Sequence, residues 1–135
     1  MRKLIVGLLL FSLLGCSQQN SQTDSPNKII TSVELTCTAE CKRMYPEQDE
    51  VQLFDDVASI QIFTNAMKSA EQMPGILDYA TLYDMVVTYS DETTEQYHLN
   101  IGKKKGQKGL LVNTVDTNIG YSIPPENHDQ LVEVI

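Results

Sequence analysis

Three cysteines, two histidines and a few clusters of carboxylates are the residues of this chain whose types and spacing could carry chemistry. Cys37 and Cys41 stand four apart, and Met44 follows three later. In an oxidising compartment two nearby thiols pair, which gives a Cys37–Cys41 disulfide. In the reduced state Cys37, Cys41 and Met44 offer soft sulfur ligands suited to Cu(I). On an extended strand the two Cα atoms would lie roughly 13 Å apart, whereas a disulfide requires less than about 7 Å. The chain is therefore expected to turn within Thr38-Ala39-Glu40. The sequence leaves the disulfide and the copper readings both open.

The other reactive residue types yield less. No glycine-rich phosphate cradle, zinc-protease helix or nucleophile elbow is present. His98 alternates with Tyr97, Leu99 and Ile101, so it is expected on the solvent face of a strand. His128 falls near the start of a terminal helix and is expected to be solvated. Asp55-Asp56 precedes a helical pattern, where a carboxylate accepts the free amides of the first turn. Glu47, Asp49 and Glu50 lack the alternating ligands and turn glycine of a calcium loop. Lys103, Lys104, Lys105 and Lys108 form a basic turn, either simply solvated or touching anionic headgroups or wall polymers.

The third cysteine has a different setting. Arg2 and Lys3 precede the eleven residues Leu4–Leu14, apolar except for Gly7 and Ser12, and Gly15-Cys16 follows. A basic head, an apolar run and a small residue make an export signal. Eleven residues are too few for a membrane-spanning helix, which needs about 20. Leu13-Leu14-Gly15-Cys16 resembles the lipobox of bacterial lipoproteins, which implies cleavage after Gly15 and a lipid on the Cys16 thiol. Two acyl chains are about the minimum for stable anchoring. The chain is thus expected to divide into a signal at 1–15, a lipidated Cys16 with a tether to residue 27, and one domain at 28–135. The membrane partner is reached through Cys16, on the extracytoplasmic face.

Charge and composition narrow the possibilities. The chain carries 18 acidic and 10 basic residues, for a net charge of −8, and loss of Arg2 and Lys3 would make it −10. Such a balance argues against nucleic acid as a partner. No tryptophan is present, which argues against an aromatic-lined sugar cleft. No cofactor motif is recognisable. Ser17–Asn27 has no aliphatic or aromatic residue and reads as a tether spanning roughly 18 Å.

Periodicity supplies the elements. Ile29–Thr38 alternates and predicts a half-buried strand, and Ala39–Glu50 reads as a loop. Val57, Ile60, Phe63, Met67 and Ala70 recur at spacings of three and four, predicting a helix capped by Asp55 or Asp56 and stopped by Pro74-Gly75. Tyr83, Met85, Val87 and Tyr89 form one strand and Tyr97, Leu99 and Ile101 the next, joined by the turn Ser90–Thr94. The Lys103–Lys108 turn feeds Gly109–Asn113, and Asp116–Asn118 feeds Ile119–Ile123. Pro124-Pro125 breaks the sheet before a short helix over Asn127–Val134, with Leu131 and Val134 inward. The expected class is α+β: an antiparallel sheet of four to five strands, one long helix on one face, and a short C-terminal helix.

From Gly75-Ile76-Leu77-Asp78 onward the order of features matches a family pattern. Tyr83 opens a strand, Tyr97-His98-Leu99 lies in the next, Asp116-Thr117 precedes Tyr121-Ser122-Ile123, and Leu131-Val132 comes near the end. With the lipobox and short tether, this resembles the small YhfM-like lipoproteins of bacilli over about residues 50–135. Leu82 stands where that pattern favours proline, and Asn100 where it favours an aromatic residue. The resemblance implies a lipid anchor outside a Gram-positive membrane; it points to no particular activity and supplies no catalytic residues to carry over.

The expected function is therefore a non-catalytic binding or interaction domain for an unknown protein or cell-envelope partner. Thr88, Gln96, His98 and Asn100 would decorate its open sheet face. One alternative is copper handling by Cys37, Cys41 and Met44. Another is inhibition of an exported hydrolase, with the Ser90–Thr94 or Lys103–Lys108 turn inserted into its cleft.

Overall fold

The alternation along Tyr83–Tyr89 sets the core: Tyr83, Met85, Val87 and Tyr89 are all buried, and the residues between them are not. In the computed structural model, which describes residues 28–135, this segment is a central strand. The expected export signal, the expected lipidation at Cys16 and the expected tether over 16–27 lie outside the described residues. The elements in chain order are β1 (Ile30–Cys37), α1 (Ala39–Met44), β2 (Val51–Phe54), α2 (Val57–Ser69), β3 (Glu71–Gln72), β4 (Tyr83–Tyr89), β5 (Thr94–Asn100), β6 (Gly109–Asn113), β7 (Tyr121–Ile123) and α3 (Pro125–Val134). The class is α+β, as the periodicity predicts. One antiparallel sheet runs in the order β2-β1-β4-β5-β6-β7-β3, with seven strands where four to five are expected.

The additional strands are the two edges. β2 has four residues and β3 two, too few for a period to show. β3 also shortens the long helix. Asp56 caps α2 by accepting the Ser59 amide at 2.9 Å, but the helix ends at Ser69 instead of running to Pro74-Gly75. Ala70 is already extended, and Glu71 and Gln72 pair with Ser122 and Tyr121. Sheet pairing thus overrides the local helical preference. The buried stripe of α2 is rotated from the expected one: Phe63 and Ala66 are fully inward, Ile62, Met67 and Ala70 pack beside them, and Val57 is 86% exposed. Phe63 meets Phe54 of β2 with ring centroids 5.0 Å apart.

The expected loop over Ala39–Glu50 contains a helix. Thr38 ends β1 and caps α1, its Oγ1 accepting the Cys41 amide at 3.3 Å. Glu40 in the first turn and Lys42 and Arg43 in the last suit the helix dipole. Six residues give less than two turns, too short for an amphipathic stripe. α3 starts at Pro125, a residue whose missing amide hydrogen costs nothing at a helix start. Leu131 on α3 is fully buried.

α2 and α3 pack together over one face of the sheet, contacting β1 and β7. The opposite, outer face is divided in two. Over β5, β6 and β7 lies a strap, residues 73–82, which begins with the Met73 amide on the Gly120 carbonyl and turns at Gly75 with φ +91°. Leu77 of the strap sits against Gly120 and Leu110; a Cβ on Gly120 would come within 2.7 Å of Leu77 Cδ1. Val112 pairs with His98 across the sheet and shares its outer face, yet it is fully buried. Asn100 closes the strap: its Oδ1 accepts the Leu82 amide at 2.7 Å and its Nδ2 donates to the Ala80 carbonyl at 2.6 Å. The two departures from the family pattern therefore meet in one hydrogen bond. Proline at 82 would have no donor; leucine has one, and Asn100 supplies its acceptor.

Removing one side of a part-buried bond strands the other, whereas removing both does not. Leu82→Pro and Asn100→Ala should therefore each destabilise, and the double variant should recover about 1–2 kcal/mol relative to their sum. Urea denaturation of the four chains measures this coupling. Additivity within about 0.3 kcal/mol would show that the bond does not hold the strap.

Candidate functional site

β1 and β4 bring Cys37 to the start of α1, and Thr38 turns the chain so that Cys41 comes back to it. Their Cα atoms are 5.4 Å apart and the two sulfurs are bonded. The turn falls within Thr38-Ala39-Glu40, where the distance requirement places it. Both cysteines are buried, while Met44 at the end of α1 is 48% exposed. The sulfurs satisfy each other, and nothing in this arrangement favours the copper reading.

His98 lies on the outer face, where strand alternation places it, but the strap covers it in part, and its side chain is 26% exposed. Its Nδ1 is 2.8 Å from the Tyr79 hydroxyl, and its Nε2 is 3.7 Å from Asp84 Oδ1 across the β4–β5 pair. The ring is held by a phenol from the strap, a contact that strand alternation cannot reveal. His128, expected in solvent, is fully buried. Its Nδ1 is 2.9 Å from Asp129 Oδ1, and its Nε2 has no hydrogen-bond partner among the described residues. The hydrogen bond from His128, with the Gly106 amide, holds the Asp129 carboxyl below its ordinary value. The missed signal was spacing: His128 precedes Leu131 by three and so shares its inward face.

The carboxylates and lysines resolve into structural parts. Asp56, not Asp55, caps α2, and the Ser59 amide lowers its pKa. Among the described residues no group of three or more His, Cys, Asp or Glu is arranged to hold a metal. The Lys103–Lys108 turn is docked rather than free. Gly106 donates to Asp129 at 2.8 Å, Lys105 pairs with Glu133 at 2.8 Å, and Lys103 lies 4.8 Å over the Tyr45 ring. Its place in the sheet is also informative. Ile30 pairs with Tyr89 at one end of the β1–β4 ladder, and Cys37 pairs with Tyr83, which faces Leu99, at the other. The lysine turn follows Asn100 and so lies at the end remote from Lys28, the first described residue.

The Lys28 end has its own cluster, which alternation along the strands does not reveal. Glu95 Oε2 accepts both the Tyr89 and Tyr97 hydroxyls at 2.6 Å. The parity of Tyr97 and Leu99 puts Glu95 on the inner face, and that was the available signal. Lys28 lies 5.2 Å over the Tyr89 ring and 4.0 Å from Asp91. Beside it a groove of about 540 Å³ runs between Lys28, Ile30 and Tyr89 on the sheet side and Thr64, Met67 and Lys68 of α2. Of the expected outer-face residues, Thr88 and Gln96 belong to the open half, while His98 and Asn100 are engaged by the strap.

The clasp on Glu95 makes stability depend on pH. The two phenol donors hold its carboxyl below the ordinary 4.5. Burial and the bond to Glu95 push Tyr89 up to about 12 from 10, and Tyr97 up by the same causes. A lowered carboxylate contributes stability above its unfolded value and loses it as pH falls through the folded one. The raised phenols contribute below their unfolded value of 10 and lose it as pH rises through their folded ones. Glu95→Gln should thus lose less stability than the natural chain between about pH 5 and about pH 3. Urea midpoints across that range check this, and parallel losses in the two chains would exclude the clasp as a source of acid sensitivity.

No curated protein and no solved structure matches this chain. The family model described as YhfM protein matches residues 41–135, which runs from within α1 through α3 and takes in the strap but not β1. That coverage is more than half of the sequence, and the chain belongs to the YhfM family.

Proposed function

We propose that the chain is a lipid-anchored extracytoplasmic binding domain that works by contact, without catalysis. The observation that carries this reading is the open half of the outer face. Glu34, Asp84 and Gln96 stand exposed there beside Val86 and Thr88, and no described element covers them. A sheet face left bare beside a strapped one is suited to a partner surface. The groups needed for catalysis are engaged elsewhere: His128 in the core, His98 on Tyr79, and the two cysteines on each other. The anchor is assigned to Cys16 from the lipobox. A tether reaching roughly 18 Å from Lys28 would then hold the Ser90–Thr94 end toward the membrane and the lysine turn away from it. No observation favours the copper or hydrolase-inhibitor alternatives.

Interfaces distribute their energy over several residues. Crosslinking and pull-down of the anchored protein from intact cells should capture a partner that is lost when Glu34, Asp84 and Gln96 are changed to lysine together. The same partner should survive His98→Ala, and Cys16→Ala should release the protein from the membrane fraction or leave it unprocessed. Complete loss of the biological role in a folded His98→Ala chain would mean that the domain is catalytic.

A further inference from the structure

The free edge of β2 combines three features that edge strands ordinarily avoid. β2 is the first strand in the sheet order, with β1 on one side and no strand among the described residues on the other. Its sequence, Val51-Gln52-Leu53-Phe54, contains neither lysine nor proline, the residues that usually discourage edge pairing. The Cys37 amide donates to the Glu50 carbonyl, which fixes the phase of the β1–β2 ladder. Gln52 and Phe54 then turn their backbone groups to β1, and Val51 and Leu53 turn theirs outward. No described residue makes a backbone hydrogen bond to those outward groups. The side chains of the same two residues are 53% and 61% exposed.

Charge indicates what would pair there. Asp49 and Glu50 precede the strand and Asp55 and Asp56 follow it; all four are exposed and none is ion-paired with a described residue. An apolar strand bracketed by carboxylates at both ends complements an apolar strand bracketed by cations. A second copy of this chain would bring four more carboxylates against these four, so self-pairing is disfavoured. We propose that the β2 edge takes up an extended apolar peptide segment flanked by lysine or arginine, as an eighth strand of the sheet. Main-chain bonds to Val51 and Leu53 supply the affinity, and the carboxylates select the flanks. This rests on the reading of the chain as a binding domain, and it names the partner's chemistry and where it docks.

The test uses the full mature chain in a neutral detergent with a fluorescent peptide, Lys-Lys-Val-Thr-Val-Thr-Val-Lys-Lys. Anisotropy should show binding at low salt that is at least about ten-fold tighter than for the peptide with glutamate in place of lysine. A proline at the central valine should abolish it. Leu53→Pro, which removes an outward amide and leaves the bonds to β1, should weaken binding at least about ten-fold. Leu53→Lys, a change confined to an exposed side chain, should do the same through charge. On peptide addition the Val51 and Leu53 amides should gain protection from hydrogen exchange. Absence of binding by the lysine peptide, or equal binding by natural and Leu53-substituted chains, would overturn the proposal. So would a dimer of the natural chain that Leu53→Lys dissolves, since the edge would then serve self-association. Partner capture lost only on changing Glu34, Asp84 and Gln96, with no peptide binding, would discard the edge and retain the binding domain.

Discussion

The amide hydrogen of Leu82 and the side chain of Asn100 decide how much of the sheet's outer face is available. Two helices are enough to cover only the inner face. The outer face over β5 to β7 carries Leu110 and Val112, which would otherwise lie in water, and the strap 73–82 covers them. A segment without regular structure has no internal ladder to satisfy its polar groups, so it must be tied at named points. Here those points are Met73 on Gly120, Ala80 and Leu82 on Asn100, and Thr38 Oγ1 on the Thr81 carbonyl at 2.5 Å. The last tie joins the strap to the start of α1, beside the disulfide. One short stretch of chain thereby closes half a face and positions His98, leaving β1, β2 and β4 open.

Much of this was legible in the sequence, for physical reasons. β4 alternates because it has one wet and one dry side, β5 because only its inner residues face the core, and their turn is polar because it stands in water. Asp56 is a cap because an aspartate there satisfies an amide that the helix cannot. What was not legible depends on contacts between distant residues. β2 and β3 are strands only because β1 and β7 offer them edges, and β3 ends α2 before Pro74-Gly75 has any effect. His98 looked exposed because strand parity ignores whatever crosses above the strand. His128 is buried because its spacing of three from Leu131 sets its face, whatever its polarity suggests. The departures at Leu82 and Asn100 were visible separately; that each compensates the other appears only when they are 2.7 Å apart.

The same geometry separates structural from interactive charge. Asp129 and Glu133 are taken up in docking the lysine turn, Glu95 in the tyrosine clasp and Asp56 in part by the cap of α2. The carboxylates around β2, with Glu34 beside Leu53, remain exposed. On a chain with net charge −8, this places exposed negative charge, of which only Asp56 is engaged in a cap, next to a sheet edge that has apolar side chains and free backbone groups in water. An acidic partner would meet repulsion there, a neutral one would gain nothing from the charge, and a cationic strand would be drawn in.

Native-state hydrogen exchange tests the division of the outer face most directly. The Leu82 amide, bonded to Asn100 in a strap that buries Val112, should exchange only through large-scale opening, with a protection close to that of β4. The Val51 and Leu53 amides on the free edge should exchange quickly in the same sample. If Leu82 exchanged as fast as the edge amides, the strap would be open in solution. The outer face would then be bare along its whole width.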